Sequence, residues 1–121
     1  RIGSVPWEGS FFTVVTSDSG AVIVGGLRGR MFRSGDQGES WEEVKKPPSS
    51  SIVSSAKLQD GTLVFAGMAG ELIFSTDDGR SFNYLPIRAG GRVYAVEHGP
   101  AGTLLVGGPA GIKKFPLPKP Q

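Results

Sequence analysis

The sequence predicts an all-β fold assembled from short antiparallel four-stranded units, and three observations carry that prediction. Glycine supplies 19 of the 121 residues, more than twice the usual ~7% and without a collagen-like period. No stretch free of Gly and Pro exceeds the twelve residues Ser49–Asp60, which excludes long helices, bundles and coiled coils. The third observation is an internal repeat. Gly20-Ala21-Val22-Ile23-Val24-Gly25-Gly26-Leu27-Arg28-Gly29 aligns without a gap on Gly61–Gly70 and again on Gly102–Gly111, 41 residues apart each time. Gly26, Gly67 and Gly108 coincide, as do Gly29, Gly70 and Gly111. Repeats of this length mark architectures in which each unit buries its apolar face on the next.

Each copy divides into strands of β-branched and aromatic residues separated by Gly, Asp and Ser, the residues that strands and tight turns respectively favour. The first copy gives Ser10–Thr16, Ala21–Gly25, Arg30–Ser34 and Trp41–Val44. The second gives Ile52–Leu58, Thr62–Ala66, Glu71–Ser75 and Phe82–Leu85. The third gives Val93–Val96, Thr103–Gly107 and Ile112–Phe115, and then no fourth strand. Runs such as Ala21-Val22-Ile23-Val24 and Thr103-Leu104-Leu105-Val106 are apolar on consecutive positions, as expected of sheets covered on both faces. Four-stranded units of about 40 residues stacked face to face are the blades of a β-propeller.

The predicted organisation is therefore one propeller segment. Residues 1–3 are expected to be the tail of a preceding outer strand, 4–44 and 45–85 two full blades, and 86–121 an incomplete one. Arg1-Ile2-Gly3 lies 41 residues before the end of the first copy's fourth strand, which supports a ring closed by a strand from its N-terminal side. Three blades are too few to close alone. The expectation is either further blades upstream or two copies forming a six-bladed ring.

Composition narrows the chemistry. There is no Cys and a single His, so disulfides, thiolate nucleophiles and Cys- or His-cluster metal sites are excluded. Thirteen basic against eleven acidic residues give a net charge of +2, too little to argue for nucleic acid. No apolar run approaches the ~20 residues of a membrane-spanning helix. No cofactor and no metal are expected.

Between the third and fourth strands the repeat carries its own signature. Ser34-Gly35-Asp36-Gln37-Gly38-Glu39-Ser40-Trp41 matches Ser75-Thr76-Asp77-Asp78-Gly79-Arg80-Ser81-Phe82. An Asp two residues before Gly folds its carboxylate onto backbone N–H groups, and the Gly supplies the positive φ of the turn. The closing aromatic, Trp41 or Phe82, is expected to bury its ring between blades. These segments resemble the Asp-box, or bacterial neuraminidase repeat, the second departing from it only by Phe82 in place of Trp. The third copy has Phe115-Pro116-Leu117-Pro118 in its place.

With its forty-residue blades and Gly-Gly-x-x-Gly elements, the chain is most similar to the photosystem II assembly/stability factor family and its bacterial relatives. The resemblance implies a non-enzymatic propeller outside the cytoplasm (periplasmic, lumenal or secreted) that assists membrane-protein assembly. The alternative within Asp-box proteins is a carbohydrate-active propeller, sialidase-like or lectin-like.

Strand order sorts the loops onto two faces. One face carries Arg28, Arg30, Lys45, Lys46, Arg88 and Arg92, with Met68 among them; the other carries Asp18, Asp36, Glu39, Asp60, Asp77 and Asp78, with Arg80 as the exception. The basic face is the candidate partner surface, suited to an acidic segment or a membrane protein. Catalysis has weak footing. A sialidase needs an arginine cluster and a Tyr–Glu pair, and nothing ties Tyr84 or Tyr94 to Glu71 or Glu97. Asp36 and Asp77 read as turn formers and His98 as a loop residue. Asp77-Asp78-Gly79 lacks the further ligands of a calcium loop. Gly25–Gly29 joins two strands, so it reads as a hairpin and not a phosphate loop. Pro116–Pro120 reads as an extended terminus.

Overall fold

The computed structural model describes residues 10–85, 92, 95–99, 103–109 and 111–116. Among the described residues, eleven strands form three antiparallel sheets. The first runs β1 (Phe11–Thr16), β2 (Val22–Gly26), β3 (Met31–Ser34) and β4 (Glu42–Glu43). The second repeats it with β5 (Ile52–Lys57), β6 (Leu63–Gly67), β7 (Leu72–Ser75) and β8 (Asn83–Tyr84). In the third, β10 (Thr103–Gly108) lies between β9 (Ala95–His98) and β11 (Gly111–Pro116). This is a β-propeller segment, each sheet a meander in sequence order. The outer strands are shorter than the sequence predicts, because Trp41 and Phe82 belong to the turns. A 3-10 turn, Leu27–Gly29, sits in the hairpin between β2 and β3. Arg1–Gly3, Val93, Tyr94, Arg88 and Leu117–Pro120 lie outside the described residues.

Two apolar layers glue the sheets together. Ala21, Ile23, Met31 and Val44 of the first sheet pack on Ile52, Leu63, Phe65, Ile73 and Phe82 of the second. Its opposite face, with Ala56, Leu58, Val64, Ala66, Leu72 and Leu85, packs on Val96, Leu104 and Val106 of the third. Hence β6 is buried at every position (Leu63–Gly67), and its consecutive apolar residues serve two neighbours at once. The inner strands are also tied directly. The hydroxyls of Thr13 and Ser55 share a hydrogen bond of 2.6 Å, and Val96 N–H donates to Ser54 Oγ at 2.9 Å.

The repeated glycines mark close approaches. A Cβ on Gly26 would stand 2.1 Å from the Ser10 carbonyl oxygen, and one on Gly108 would stand 2.4 Å from the Arg92 carbonyl oxygen. Ser10 and Arg92 occupy the same place two repeats apart, so only Gly fits where the second strand meets the chain entering its own sheet.

The third sheet breaks the period. In the second, Ala66 stands opposite Leu72, so the 41-residue spacing predicts Gly107 opposite Lys113. The structure instead places Gly107 opposite Ile112 and Leu104 opposite Phe115. A one-residue slip turns every side chain of a strand to the other face. Phe115 thereby joins the apolar layer beside Leu104, where the period would put Pro116, and Ile112 becomes 77% exposed.

Candidate functional site

The two turns of the shared signature have the same construction. Ser34 Oγ donates to Asp36 Oδ1 at 2.8 Å and accepts from Gly38 N–H at 2.7 Å. Asp36 also accepts from Ser40 N–H at 2.8 Å and from the Ser40 hydroxyl at 2.6 Å. Ser75, Asp77, Gly79 and Ser81 repeat this network at 2.6, 2.9, 3.0 and 2.6 Å. Gln37 and Asp78 (φ +65° and +68°) and Gly38 and Gly79 (φ +89° and +84°) turn the chain through the left-handed region. Hydrogen bonds from the Ser40 hydroxyl, Ser40 N–H and Ser34 hold the Asp36 carboxyl down at about 2. Burial pulls Asp77 upward, but the bonds from Ser75 and Ser81 outweigh it and leave its pKa lowered. Such carboxylates stay ionised at neutral pH, the opposite of a general acid, whose pKa must be raised.

The closing aromatics part company. Phe82 is buried (2%) and meets the Phe65 ring edge-on, centroids 5.3 Å apart. Trp41 is only half-buried, and its Nε1–H donates to the Gly38 carbonyl at 3.1 Å. Phe82 lies in the layer between two sheets, whereas Trp41 is not among the residues of that layer. The expectation that both rings are buried between blades therefore holds for Phe82 alone among the described residues.

Asp78 does more than the sequence reading assigned to it. Its Oδ2 accepts from Arg33 Nη2 at 2.7 Å and from the Ser19 hydroxyl at 2.5 Å, and its carbonyl accepts from Arg33 Nε at 2.9 Å. Arg33 and Ser19 belong to the first sheet and Asp78 to the second, so this is a clamp across the interface. Burial pulls the Asp78 carboxyl upward, but Ser19, Ser17 and the Arg33 guanidinium bring it down to about 2. The repeat positions of Arg33 and Asp78 are held by Phe74 and Gln37; at the next interface Phe74 packs on the apolar layer instead.

The basic residues are not equivalent. Arg30 Nε forms a 2.8 Å ion pair with Glu43, and its guanidinium lies 5.6 Å from the centre of the Phe32 ring. The Lys46 amine donates to the Pro47 carbonyl at 2.9 Å; burial lowers its pKa against the pull of Glu71 and Glu43. Lys45 bridges through its backbone to Ser81, and its carbonyl accepts from Phe82 N–H at 2.9 Å, which puts it beside the second sheet's turn. Arg28 is exposed, with φ +61° and its N–H donating to Ser51 Oγ at 3.0 Å. Arg92 is exposed and contacts Met68 Sδ at 3.7 Å. Arg88 lies outside the described residues. On the opposite face Asp18 pairs with Lys57 at 2.9 Å.

Glu71 receives Ser50 N–H at 2.9 Å and the Ser50 hydroxyl at 2.7 Å, fixing the link between the first two sheets. The Tyr84 hydroxyl donates to the Pro48 carbonyl of the same link. Among the described residues no group of three His, Asp or Glu is placed to hold a metal, and no helix is long and apolar enough to cross a membrane.

No protein-family model and no curated protein sequence matches this chain. Solved structures do. YCF48 from Cyanidioschyzon merolae superposes with a TM-score of 0.73 at 19% identity, over 95% of this chain and 36% of its own. YCF48 bound to D1 peptide gives a TM-score of 0.65 at 17% identity, over 95% and 43%. Virginiamycin B lyase from Staphylococcus aureus gives 0.66 at 18% identity, over 98% and 45%. At these identities the likeness is one of fold, that of the β-propeller. The chain spans between 36% and 45% of the length of these structures.

Proposed function

We propose that this chain is part of a non-catalytic, protein-binding propeller of the photosystem II assembly factor type, with Asp-box turns as structural elements and a location outside the cytoplasm. The partner engages the loop face that exposes Arg28 and Arg92, and a membrane protein or an acidic segment is the class of partner it suits. The observation that carries this reading is the sorting of charge. Arg28 and Arg92 stand exposed on one loop face, while Asp36, Asp77 and Asp78 are held ionised on the other. The likeness to a propeller solved with a bound peptide supports the class of ligand.

Fluorescence anisotropy with a labelled D1 peptide tests it. Arg28→Glu with Arg92→Glu is expected to weaken binding about tenfold, since reversing two surface charges alters two exposed pairings. Arg80→Glu, on the opposite face, leaves it unchanged. Equal affinity in the double variant removes this face from the reading. Hydrolysis of a fluorogenic sialoside, or capture by a glycan array, replaces the reading with the carbohydrate-active one.

A further inference from the structure

The sequence holds two methionines, and the fold treats them oppositely. Met31 is 1% exposed, in the layer between the first two sheets. Met68 is half-buried in the hairpin between β6 and β7, where its N–H donates to the Ser51 carbonyl at 2.8 Å. The first copy has Leu27 at this place and the third has Pro109, so apolar shape alone does not require a thioether there. Met68 Sδ lies 3.7 Å from Arg92 Nη1, and none of the ion pairs among the described residues takes Arg92.

A thioether sulfur is a weak acceptor, so it holds the guanidinium loosely. Oxidation changes that. Hydrogen peroxide transfers one oxygen to Sδ; the sulfur gives up two electrons and becomes a sulfoxide, and the peroxide is reduced to water. The 3.7 Å separation accommodates the new oxygen, because an S–O bond and an N–H···O hydrogen bond of ordinary length span it at an obtuse angle. The donor is charged, which makes this the stronger class of hydrogen bond. We propose that Met68 is a reversible oxidation site whose sulfoxide captures the Arg92 guanidinium and pins it against the hairpin between β6 and β7. A methionine sulfoxide reductase restores the thioether and frees Arg92. Weaker binding of an acidic partner then follows if Arg92 belongs to the partner surface, and that step alone rests on the function proposed above.

The whole chain is treated with limiting hydrogen peroxide and mapped by mass spectrometry. Met68 is expected to take up oxygen about tenfold faster than Met31, which the closed layer shields. Phenylglyoxal, which labels accessible guanidinium groups, reads the capture. Labelling of Arg92 is expected to slow about threefold after oxidation, while that of Arg28 keeps its rate, and reductase treatment reverses the change. In Met68→Leu, which places the first copy's residue in the second, peroxide leaves the labelling of Arg92 unaltered. Oxidation of Met31 as fast as Met68, an Arg92 rate that peroxide does not slow, or equal slowing in Met68→Leu overturns the proposal. The labelled D1 peptide separates it from the reading of the face. Binding that weakens on oxidation supports both. Binding to neither form, with Arg92 slowed, overturns the partner surface and supports the capture.

Discussion

Replacing Gly79 by Ala tests whether the turn between β7 and β8 is wedged against the neighbouring sheet. Gly79 has φ +84°, a region where an L-residue costs roughly 1–2 kcal/mol. A Cβ there would stand 2.8 Å from both Cδ1 and Cγ1 of Ile23 and 3.3 Å from Leu63 Cδ1. Both side chains are fully buried, and Ile23 belongs to the first sheet, so relief means moving a packed side chain across the interface. Overpacking of that kind costs roughly 1–3 kcal/mol. The two contributions sum to about 2–5 kcal/mol. In a chain of this size each kcal/mol lowers Tm by roughly 3–6 °C, so the expected loss is about 6–30 °C, centred on ~15 °C. Gly20→Ala is the control. Its φ is +93°, but no heavy atom lies within 4 Å of the added Cβ, leaving only the backbone cost and a fall of about 5 °C. Calorimetry, with near-UV circular dichroism to follow tertiary packing, reads both variants. Equal losses would refute the wedge, and an unchanged Tm in both would refute the left-handed turns themselves.

Breaking the clamp gives a pH signature. The Asp78 carboxyl falls from 3.8 to about 2 on folding, so its contribution is fully present above about pH 4 and is lost as the pH falls towards 2. Wild-type protein is expected to lose up to about 2 kcal/mol over that window and Asp78→Asn distinctly less; parallel acid-unfolding curves would dismiss the pairing as a source of stability. A double-mutant cycle of Arg33→Ala with Asp78→Ala should return a coupling of about 1 kcal/mol, measured by urea unfolding, and strict additivity would contradict it. Phe82→Ala is expected to cost about 3–5 kcal/mol. Trp41→Ala, which removes a half-buried ring and one hydrogen bond, should cost about 2 kcal/mol. The reverse order would contradict the assigned layers.

The 41-residue period made the strands, the turns and the stacking legible, because each rests on a residue that recurs: Gly26 and Gly108 where backbones touch, Ser34 and Asp36 with Ser75 and Asp77 where a carboxylate closes a turn. What remained illegible lies where the copies differ. Arg33 aligned with Phe74, and Asp78 with Gln37, looks like drift until the two are seen across one interface, where a charge in one sheet requires the opposite charge in the next. The slip of β11 has the same origin. Carried forward without a gap, the period puts Lys113 and Lys114 at the buried positions of Met31 and Phe32, and of Leu72 and Ile73. Two lysines cannot be buried on both faces of a strand without partners. Moving by one residue brings Phe115 into the layer beside Leu104 and leaves both amines exposed. The repeated positions therefore encode the blade, and the departures from repetition encode what each blade is placed against.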